Sequence, residues 1–300
     1  MRSQNIKEYA HDLGFDDCGI TLAESLKAEE DYFATWLQNN YYAGMEYMVK
    51  NREKRHNPRR LMEDAKSVIC LLSNYKPVEW QQSEYPQIAS FAYGMDYHLV
   101  LKERLFRLNE LIIKEINRYL HIRPFVDTAP IFERAWAARA GLGWIGKSTL
   151  LVSPRFGPFT FISILLTNLE LEYDPPIAAQ CGSCTNCLQA CPTGALRTPY
   201  TIDAQLCISY HTIENKAPCG VNPEPYIFGC DSCVRACPWG ASTPATSLFP
   251  PLQNTLQITK AEWQTLSLDE FNSRFSGSPL QRAGLSKLQN TLNLWNGKLK

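Results

Sequence analysis

The spacing of eight cysteines between residues 181 and 238 constrains this chain more than any other feature. The first run has the spacing C-x2-C-x2-C-x3-C-P and comprises Cys181, Cys184, Cys187 and Cys191. The second run has the same ending but is stretched, because one cysteine stands apart; it comprises Cys207, Cys230, Cys233 and Cys237. Two runs of this kind are typical of proteins that hold two [4Fe–4S] clusters.

Each cluster is expected to take its fourth ligand from the other run, as in two-cluster ferredoxins. One cluster is therefore predicted on Cys181, Cys184, Cys187 and Cys237. The other is predicted on Cys191, Cys207, Cys230 and Cys233. Zinc and disulfides are the alternative uses of paired cysteines, but this triplet spacing, found twice, is not a usual zinc spacing. Cys219 fits neither run and is interpreted as a loop thiol, and Cys18 and Cys70 as small core residues.

The length of 300 residues is too great for a bare ferredoxin and indicates a large domain beside a smaller one. The 30 basic and 30 acidic residues give no net charge, which neither indicates nor excludes a nucleic-acid partner, because local patches matter more than the sum. The N-terminus has no apolar signal region and no twin arginine, and no apolar run is long enough for a membrane span. We therefore expect a protein of the reducing cytoplasm, which suits thiolate-bound clusters.

The first 175 residues alternate between strand-like and helix-like segments, which indicates an α/β or α+β domain around one sheet. Continuous apolar runs at 67–72 and 159–166 are typical of buried strands. Leucine and isoleucine recur every three to four residues over about 98–120, which predicts a long helix. We predict a sheet domain over residues 1–175, a ferredoxin-like domain over 176–240, and a linker with a short helical tail over 241–300.

Residues 141–148 match the phosphate-binding expression G-x4-G-K-[ST]. That motif requires a strand before the loop and a helix after it. Here a strongly helical segment precedes the loop and a β-like Thr-Leu-Leu-Val segment follows it, so we reject nucleotide binding. The glycines are expected instead to end the helix and to let the backbone approach a bulky group.

Asp127 follows an apolar Pro-Phe-Val segment, where an aspartate either caps the next helix or serves as a proton donor. The second role requires burial that raises the pKa of the carboxyl group, since an ordinary aspartate is ionised at neutral pH. Spacing leaves both roles open.

Two basic segments also allow two interpretations each. Residues 51–60 are either a solvated loop or a clamp for phosphate or propionamide groups. Residues 271–300 contain no acidic side chain and are either a solvated tail or a contact for a polyanion.

Several separated motifs together resemble those of epoxyqueuosine reductases. They are Val-Asp127-Thr, Glu133-Arg-Ala, the run Ala-Gly-Leu-Gly-Trp-Ile-Gly-Lys-Ser-Thr-Leu-Leu ending at Leu151, Gly-Met-Asp-Tyr-His98, Gly-Ser-Pro-Leu-Gln-Arg282 and the cysteine runs. The resemblance covers most of residues 1–285. It implies an α+β fold in which a cobalamin-binding sheet domain adjoins a ferredoxin-like domain and a short helical tail. It also implies the last step of queuosine synthesis, in which the epoxide of epoxyqueuosine at the tRNA wobble position is reduced to an alkene.

The same resemblance implies the cofactors and partners. Cobalamin and two [4Fe–4S] clusters would be the cofactors, and Asp127 would be the general acid that protonates the opened epoxide. The residues expected to line the corrinoid are Arg55, Ala89, Asp127, Leu151, Ile162, Ser209 and Asp231. An external low-potential donor would supply electrons, the anticodon stem-loop of the tRNA would be the substrate, and we expect a monomer.

Three departures from the family pattern stand out. Many members carry a helical-repeat extension beyond the point where this chain stops. Met95 stands where a basic residue is common, which is expected to weaken a phosphate contact. His211 replaces an expected aliphatic residue near the corrinoid face, as either an axial cobalt ligand or a packing residue.

Two other functions share part of this cofactor set. Reductive dehalogenases use cobalamin and the same clusters, but they are usually exported with a twin-arginine signal, which is not found here. An electron-transfer module would use the clusters alone, which leaves the first 175 residues unexplained.

Overall fold

A computed structural model describes residues 2–116 and 120–295. Its strands are β1 (Asp17–Leu22), β2 (Ser67–Asn74), β3 (Gln87–Ile88), β4 (Ile122–Phe125), β5 (Trp144–Ile145), β6 (Leu151–Val152), β7 (Thr160–Thr167), β8 (Leu196–Thr198), β9 (Thr201–Ile202) and β10 (Tyr226–Phe228). Its α-helices are α1 (Ser3–Asp12), α2 (Lys27–Gln38), α3 (Glu46–Val49), α4 (Arg52–His56), α5 (Tyr97–Ile116), α6 (Glu133–Arg139), α7 (Asn186–Gln189), α8 (Ser232–Arg235), α9 (Pro238–Ala241), α10 (Lys260–Thr265), α11 (Leu268–Arg274) and α12 (Leu285–Asn293). Short 3-10 turns connect several elements, and Tyr210–Glu214 forms a π-helical turn.

An antiparallel sheet with the strand order β1-β2-β7-β4 forms the centre of the N-terminal part. β2 is buried at every position and pairs with β7 along its whole length, from Ser67 opposite Thr167 to Asn74 opposite Thr160. A strand that is buried throughout needs cover on both of its faces.

Helices provide this cover on each face of the sheet. Val68, Cys70 and Leu72 of β2 belong to the same apolar cluster as Trp136 of α6. Ile69 and Leu71 belong to a second cluster, which α1 and α5 complete on the opposite face. The α5 side chains in this cluster recur at helical spacing and are Leu101, Leu105, Leu108 and Ile112. Burying each of these side chains contributes about 1.5–3 kcal/mol, so the sequence periodicity determines which face of α5 meets the sheet.

The cysteine-rich region is joined to the sheet domain by backbone pairing. β10 pairs in parallel with β3, with Tyr226 opposite Gln87. Gly229 follows with a φ of +70°, and a Cβ at this position would lie 2.5 Å from the Cβ of Ala89. Only glycine allows both this backbone conformation and this close approach, so Gly229 fixes how the two parts meet.

The C-terminal segment is more than a linker and tail, because it contributes a third apolar cluster. Trp263, Phe271 and Phe275 pack there with Ile88 from the N-terminal half and Phe228 of β10. Both α10 and α11 begin with a capping box, in which a Ser or Thr and a glutamate three residues later bond reciprocally to the backbone. The short helices of residues 241–300 are therefore packed onto the rest of the protein.

Most predicted elements are confirmed. The strands expected at 67–72 and 159–166 are β2 and β7, and the helix expected over 98–120 is α5, with residues 117–119 outside the described ones. The α+β class is also confirmed. β1 was not predicted, because its short Asp-Cys-Gly-Ile-Thr-Leu sequence lacks a clear apolar pattern. In the described ranges, every helix is too short or too polar to cross a membrane.

Candidate active site and cluster-binding region

The first predicted cluster set comes together although its fourth cysteine is distant in the sequence. Burial raises the pKa of the Cys187 thiol, and its neighbours Cys237 and Cys181 raise it further. Burial also raises the pKa of Cys237, with further contributions from Cys181 and Cys184. These neighbours are all members of one predicted set, so Cys237, at the start of α9, lies beside the first run.

The second set comes together in the same crossed manner. Burial raises the pKa of Cys233 most, and Cys230, Cys207 and Cys191 add to the shift. Burial raises the pKa of Cys207 as well, again with a contribution from Cys191. Cys191 of the first run therefore lies with the cysteines of the second run, which agrees with the predicted grouping. The ligand role of each cysteine stays a prediction.

The three other cysteines have structural surroundings. The Cys219 thiol donates a hydrogen bond of 3.1 Å to the Val221 carbonyl in a loop. Cys70 is fully buried in β2, and burial raises the pKa of Cys18 to about 12. These positions match their interpretation as a loop thiol and two core residues.

The segment that resembles a phosphate-binding loop supports the first cysteine run instead. α6 precedes it and the short hairpin of β5 and β6 accompanies it, which is the reversed order that led us to reject nucleotide binding. The Lys147 ammonium group donates to the carbonyls of Gly182 and Cys184 at 2.6 and 2.8 Å. The Trp144 indole N–H donates to the Cys181 sulfur at 3.4 Å. The segment thus holds the loop that carries the first two cysteines.

Asp127 lies in the loop between β4 and α6 and does not cap the helix, since the residue before α6 is Phe132. Its backbone has a φ of +56°, a left-handed conformation that aspartate tolerates better than most residues. The amide of Asp127 donates a hydrogen bond of 2.6 Å to Oε1 of Glu133. Glu133 therefore holds this loop in place from the first turn of α6.

Two side chains at the start of α5 bind the Asp127 carboxylate. The Tyr97 hydroxyl donates to Oδ2 at 2.7 Å, and Nε2 of His98 lies 3.4 Å from the same oxygen. Burial alone would raise the pKa of Asp127, but the nearby His98 ring and the hydrogen bond from Tyr97 outweigh it and hold the pKa below its ordinary value. The side chain is also 56% exposed. The expectation of a raised pKa is therefore wrong, because both neighbours stabilise the charged form.

The two titratable groups beside Asp127 both have raised pKa values. Burial opposes a charge on His98, but its hydrogen bonds to Asp127 and Asp96 prevail and raise its pKa above the ordinary value. Burial raises the pKa of Glu133 to about 8, and the charge of Asp127 adds to that shift. At neutral pH an ionised carboxylate thus lies between two groups that tend to keep a proton.

Several residues predicted to line the corrinoid meet where the two parts join. Asp231 is buried, and Oδ2 accepts a hydrogen bond of 2.6 Å from the amide of Ser90, next to the buried Ala89. Burial raises the pKa of Asp231, although this hydrogen bond opposes the shift. Burial also raises the pKa of Tyr75, which follows β2, and the charges of Asp231 and Cys233 add to it. The second cluster set therefore adjoins the sheet.

The other predicted lining residues belong to the sheet domain or lie beside the π-helical turn. Leu151 and Ile162 belong to the apolar cluster that includes α6, and Ser209 directly precedes the π-helical turn. Arg55 is buried, and its Nη2 donates to the Tyr47 carbonyl at 2.8 Å. Its Nε–H has no hydrogen-bond partner among the described residues. A buried donor of this kind suits an amide or phosphate group, so Arg55 fits a corrinoid side chain.

His211 is a packing residue rather than a free ligand. Its Nε2 lies 2.8 Å from the Gln205 carbonyl, and its Nδ1 lies 3.0 Å from the Asn215 amide nitrogen. A neutral ring satisfies both contacts, which leaves no ring nitrogen for cobalt. The ring borders a cavity of about 520 Å³. Neither that cavity nor another of about 570 Å³ between α2 and α6 is lined by Asp127 or Arg55.

The C-terminal basic segment turns two of its cations towards its own chain. Lys287 donates to the carbonyls of Ile213 and Asn215 at 2.8 and 2.6 Å. Arg282 contacts the Asp96 carboxylate at 3.0 Å. Both side chains are therefore engaged within the chain, although that of Arg282 stays 46% exposed. Residues 296–300 lie outside the described ones.

The roles of Tyr97, His98, Glu133 and Arg282 were not predicted. All four occur in motifs that carried the family resemblance. Periodicity cannot show that residues so far apart in sequence meet around Asp127 and Asp96.

Comparison with protein families matches two regions of the chain. Residues 55–128 match the family described as epoxyqueuosine reductase QueG, DUF1730. Residues 180–240 match the 4Fe-4S double cluster binding domain. The prediction of an iron–sulfur domain with two [4Fe–4S] clusters is thereby confirmed.

Individual proteins match over nearly the whole chain. The epoxyqueuosine reductase of Cellulophaga algicola is 42% identical over 297 residues, which is 97% of this chain and 97% of that protein. That of Escherichia coli is 35% identical and covers 94% of this chain, which spans 77% of that protein.

Solved structures agree with these matches. An epoxyqueuosine reductase with a tRNA-Tyr epoxyqueuosine-modified stem loop superposes with a TM-score of 0.88 at 28% identity, over 97% of this chain and 80% of that one. A Bacillus subtilis epoxyqueuosine reductase, in which an aspartate-bearing catalytic loop is swung out of the active site, gives 0.87 at 28% identity. A reductive dehalogenase aligns with a TM-score of 0.45, which lends that alternative no support. The chain belongs to the epoxyqueuosine reductase family and is an oxidoreductase.

Proposed function

We propose that this protein reduces epoxyqueuosine at the wobble position of tRNA to queuosine, with Asp127 as the group that hands protons to the epoxide oxygen. The observation that carries the proposal is the Asp127 carboxylate, held by Tyr97 and His98 at 2.7 and 3.4 Å on an accessible loop. The related structure with an epoxyqueuosine-modified stem loop supports tRNA as the substrate. An external low-potential carrier would deliver the electrons.

The reaction has a simple balance. Removing the epoxide oxygen as water and leaving an alkene consumes two electrons and two protons. The clusters pass electrons singly at low potential. Cobalamin, when bound, would supply a reduced corrinoid nucleophile for opening the epoxide. The buried Arg55 and the junction of Ala89 with Asp231 would hold it, with Leu151, Ile162 and Ser209 as further contacts.

The protons would reach the substrate oxygen through Asp127. In the resting site Asp127 is ionised, so it must take each proton from a neighbour before or while it gives one to the oxygen. His98 is suited to this, because its pKa is raised and its Nε2 faces Oδ2 of Asp127. An alkoxide formed by epoxide opening is far more basic than a carboxylate, so the overall transfer from imidazolium to alkoxide is downhill.

Glu133 provides a test of how the Asp127 loop is held. Replacing Glu133 by Leu removes the acceptor for the Asp127 amide. We expect the single-turnover rate to fall by about 10- to 100-fold, because the Asp127 carboxylate is displaced from its position. Glu133→Gln keeps an acceptor oxygen and should stay within a few-fold of the wild type. Rates would be measured with modified tRNA under reducing conditions. Equal losses in both variants would show that the hydrogen bond is not what positions the loop.

The function itself is tested by conversion of the substrate. Reconstituted protein would be incubated anaerobically with epoxyqueuosine-containing tRNA, cobalamin and a low-potential reductant, and the nucleosides would be analysed by mass spectrometry. We expect loss of one oxygen from the modified nucleoside, dependent on cobalamin. A protein with intact clusters and bound cobalamin that converts nothing would overturn the proposal. A protein that binds no cobalamin would leave only electron transfer by the clusters.

A further inference from the structure

The C-terminal segment reaches the active site from outside the sheet and cluster domains. The amide of Asp96 donates a hydrogen bond of 2.6 Å to the Gly277 carbonyl. Five residues later, Nη2 of Arg282 lies 3.0 Å from Oδ2 of Asp96 and 2.6 Å from Nδ1 of His98. A segment almost 200 residues distant in sequence therefore contacts the start of α5, which carries both side chains that bind Asp127.

Asp96 organises the start of α5. Its Oδ1 accepts a hydrogen bond from the amide of His98 at 3.0 Å and lies 2.7 Å from Nδ1 of the same residue. The His98 side chain is 3% exposed and that of Asp96 is 13% exposed, so both are shielded from solvent. The imidazole thus lies between two carboxylates, Asp96 at Nδ1 and Asp127 at Nε2.

The placement of protons follows from the donors available. Nδ1 of His98 lies 2.7 Å from Oδ1 of Asp96, and Nε2 faces Oδ2 of Asp127 at 3.4 Å. A guanidinium group can only donate, so Arg282 donates to Oδ2 of Asp96 and, when Nδ1 of His98 carries no proton, to Nδ1 as well. When Nδ1 is protonated, Arg282 and the imidazolium repel each other. Arg282 therefore offsets the pull that Asp96 exerts on the His98 proton.

The charged and titratable groups that face His98 come from four parts of the chain. Asp96 and Tyr97 lie on or beside α5, Asp127 on the loop after β4, Glu133 on α6 and Arg282 on the C-terminal segment. The two ionised carboxylates favour a charged imidazole, and Arg282 disfavours it. Without Arg282, His98 would hold its proton more firmly.

We propose that Arg282 is a positioning residue which, through Asp96, holds the His98 imidazole against Asp127 and makes its proton available for transfer to Asp127. This inference rests on the proposed function for its catalytic consequence. The transfer is balanced: the Nε2–H bond breaks, an O–H bond forms at Oδ2 of Asp127, and the ring becomes neutral with its remaining proton directed at Asp96.

Arg282 has an alternative role that the same experiment separates. Its side chain is 46% exposed, and it belongs to the basic segment that the sequence offered as a polyanion contact. A phosphate contact would act on tRNA binding and would weaken with salt. A positioning role would act on the rate of the bound complex and on its pH dependence.

The test compares Arg282→Gln and Arg282→Lys with Arg274→Gln, which removes a cation from α11 in the same basic segment. Single-turnover rates and tRNA affinities would be measured from pH 6 to 9. A proton on His98 is needed for donation, so activity should be present at low pH and lost as pH rises through the pKa of His98. For Arg282→Gln we expect the pH at which activity is lost to rise by about 0.5–1 unit. The rate on the low-pH plateau should fall about 3- to 10-fold, and tRNA affinity should stay unchanged. Arg282→Lys should recover part of the rate, because it keeps the charge without the planar fork.

Four results would overturn the inference. Weaker tRNA binding with an unchanged pH profile would make Arg282 a phosphate contact, and wild-type behaviour would leave it without a role. An equal effect of Arg274→Gln would show that Arg282 acts only through the overall positive charge of the segment. Proton titration of the histidines in isotope-labelled holoprotein, with His98 assigned from His98→Gln, tests the link without turnover. An upward shift of the His98 titration in Arg282→Gln is expected there even if epoxyqueuosine proves not to be the substrate, and no shift would disprove the link.

Discussion

Replacing Asp127 by Asn is expected to lower the single-turnover rate by about 10²- to 10⁴-fold, which is the range that general acid catalysis contributes. The amide keeps an oxygen that Tyr97 and His98 can bind, but it cannot take up a proton and pass it on. Asn also tolerates the left-handed backbone of this position, with its φ of +56°. The loss should therefore reflect the missing proton transfer and not a distorted loop.

The measurement for this variant has to separate chemistry from binding. Conversion of epoxyqueuosine-containing tRNA would be followed in a single turnover, and cobalamin uptake would be followed by its absorption spectrum. We expect normal cofactor uptake and normal tRNA affinity. Asp64→Asn is a matched control, because Asp64 is a surface carboxylate that also pairs with a histidine, His121. A rate for Asp127→Asn within a few-fold of the wild type would show that another group protonates the oxygen.

The features that the sequence predicted well are those set by neighbours along the chain. The cysteine spacing indicates clusters without any knowledge of the fold, because three ligands of each cluster lie close together in sequence. β2 and β7 are recognisable because burial on both faces requires an unbroken apolar run. The face of α5 that meets the sheet follows from its leucine spacing.

The features that the sequence did not predict depend on contacts between distant residues. The apolar sequence around Asp127 predicts a raised pKa. Tyr97 and His98, which lie 29 or more residues away in sequence, contact its carboxylate and lower the pKa instead. Arg282 was counted as part of a basic patch, since its partner Asp96 lies 186 residues away. Charge read along the chain describes composition, whereas a pKa depends on which groups meet in space.

The largest effect outside the active-site loop is expected at Cys237, where a single replacement should remove a cluster whose other ligands lie about 50 residues away. Cys237 adjoins Cys181 and Cys184, although it ends the run that contains Cys230 and Cys233. Cys237→Ala should lower the iron content from about eight to about four atoms per chain, since a cluster with three ligands is readily lost. Turnover should be abolished, because electrons would no longer pass through both clusters. Cys219→Ala is the control and should keep both clusters, as its thiol binds a loop carbonyl.

Paired replacements decide which cysteines share a cluster. If Cys237 belongs with the first run, then Cys184→Ala added to Cys237→Ala should cost no further iron, because both remove the same cluster. Cys233→Ala added to Cys237→Ala should remove the second cluster as well and leave almost no iron. Ligands taken from within each run would give the opposite pattern, with the Cys184 pair losing both clusters and the Cys233 pair losing one. Iron analysis together with electron paramagnetic resonance of the reduced proteins distinguishes the two patterns. The crossed pattern would also place Cys191 beside Cys207, Cys230 and Cys233, in the set that adjoins the sheet and its proposed corrinoid contacts.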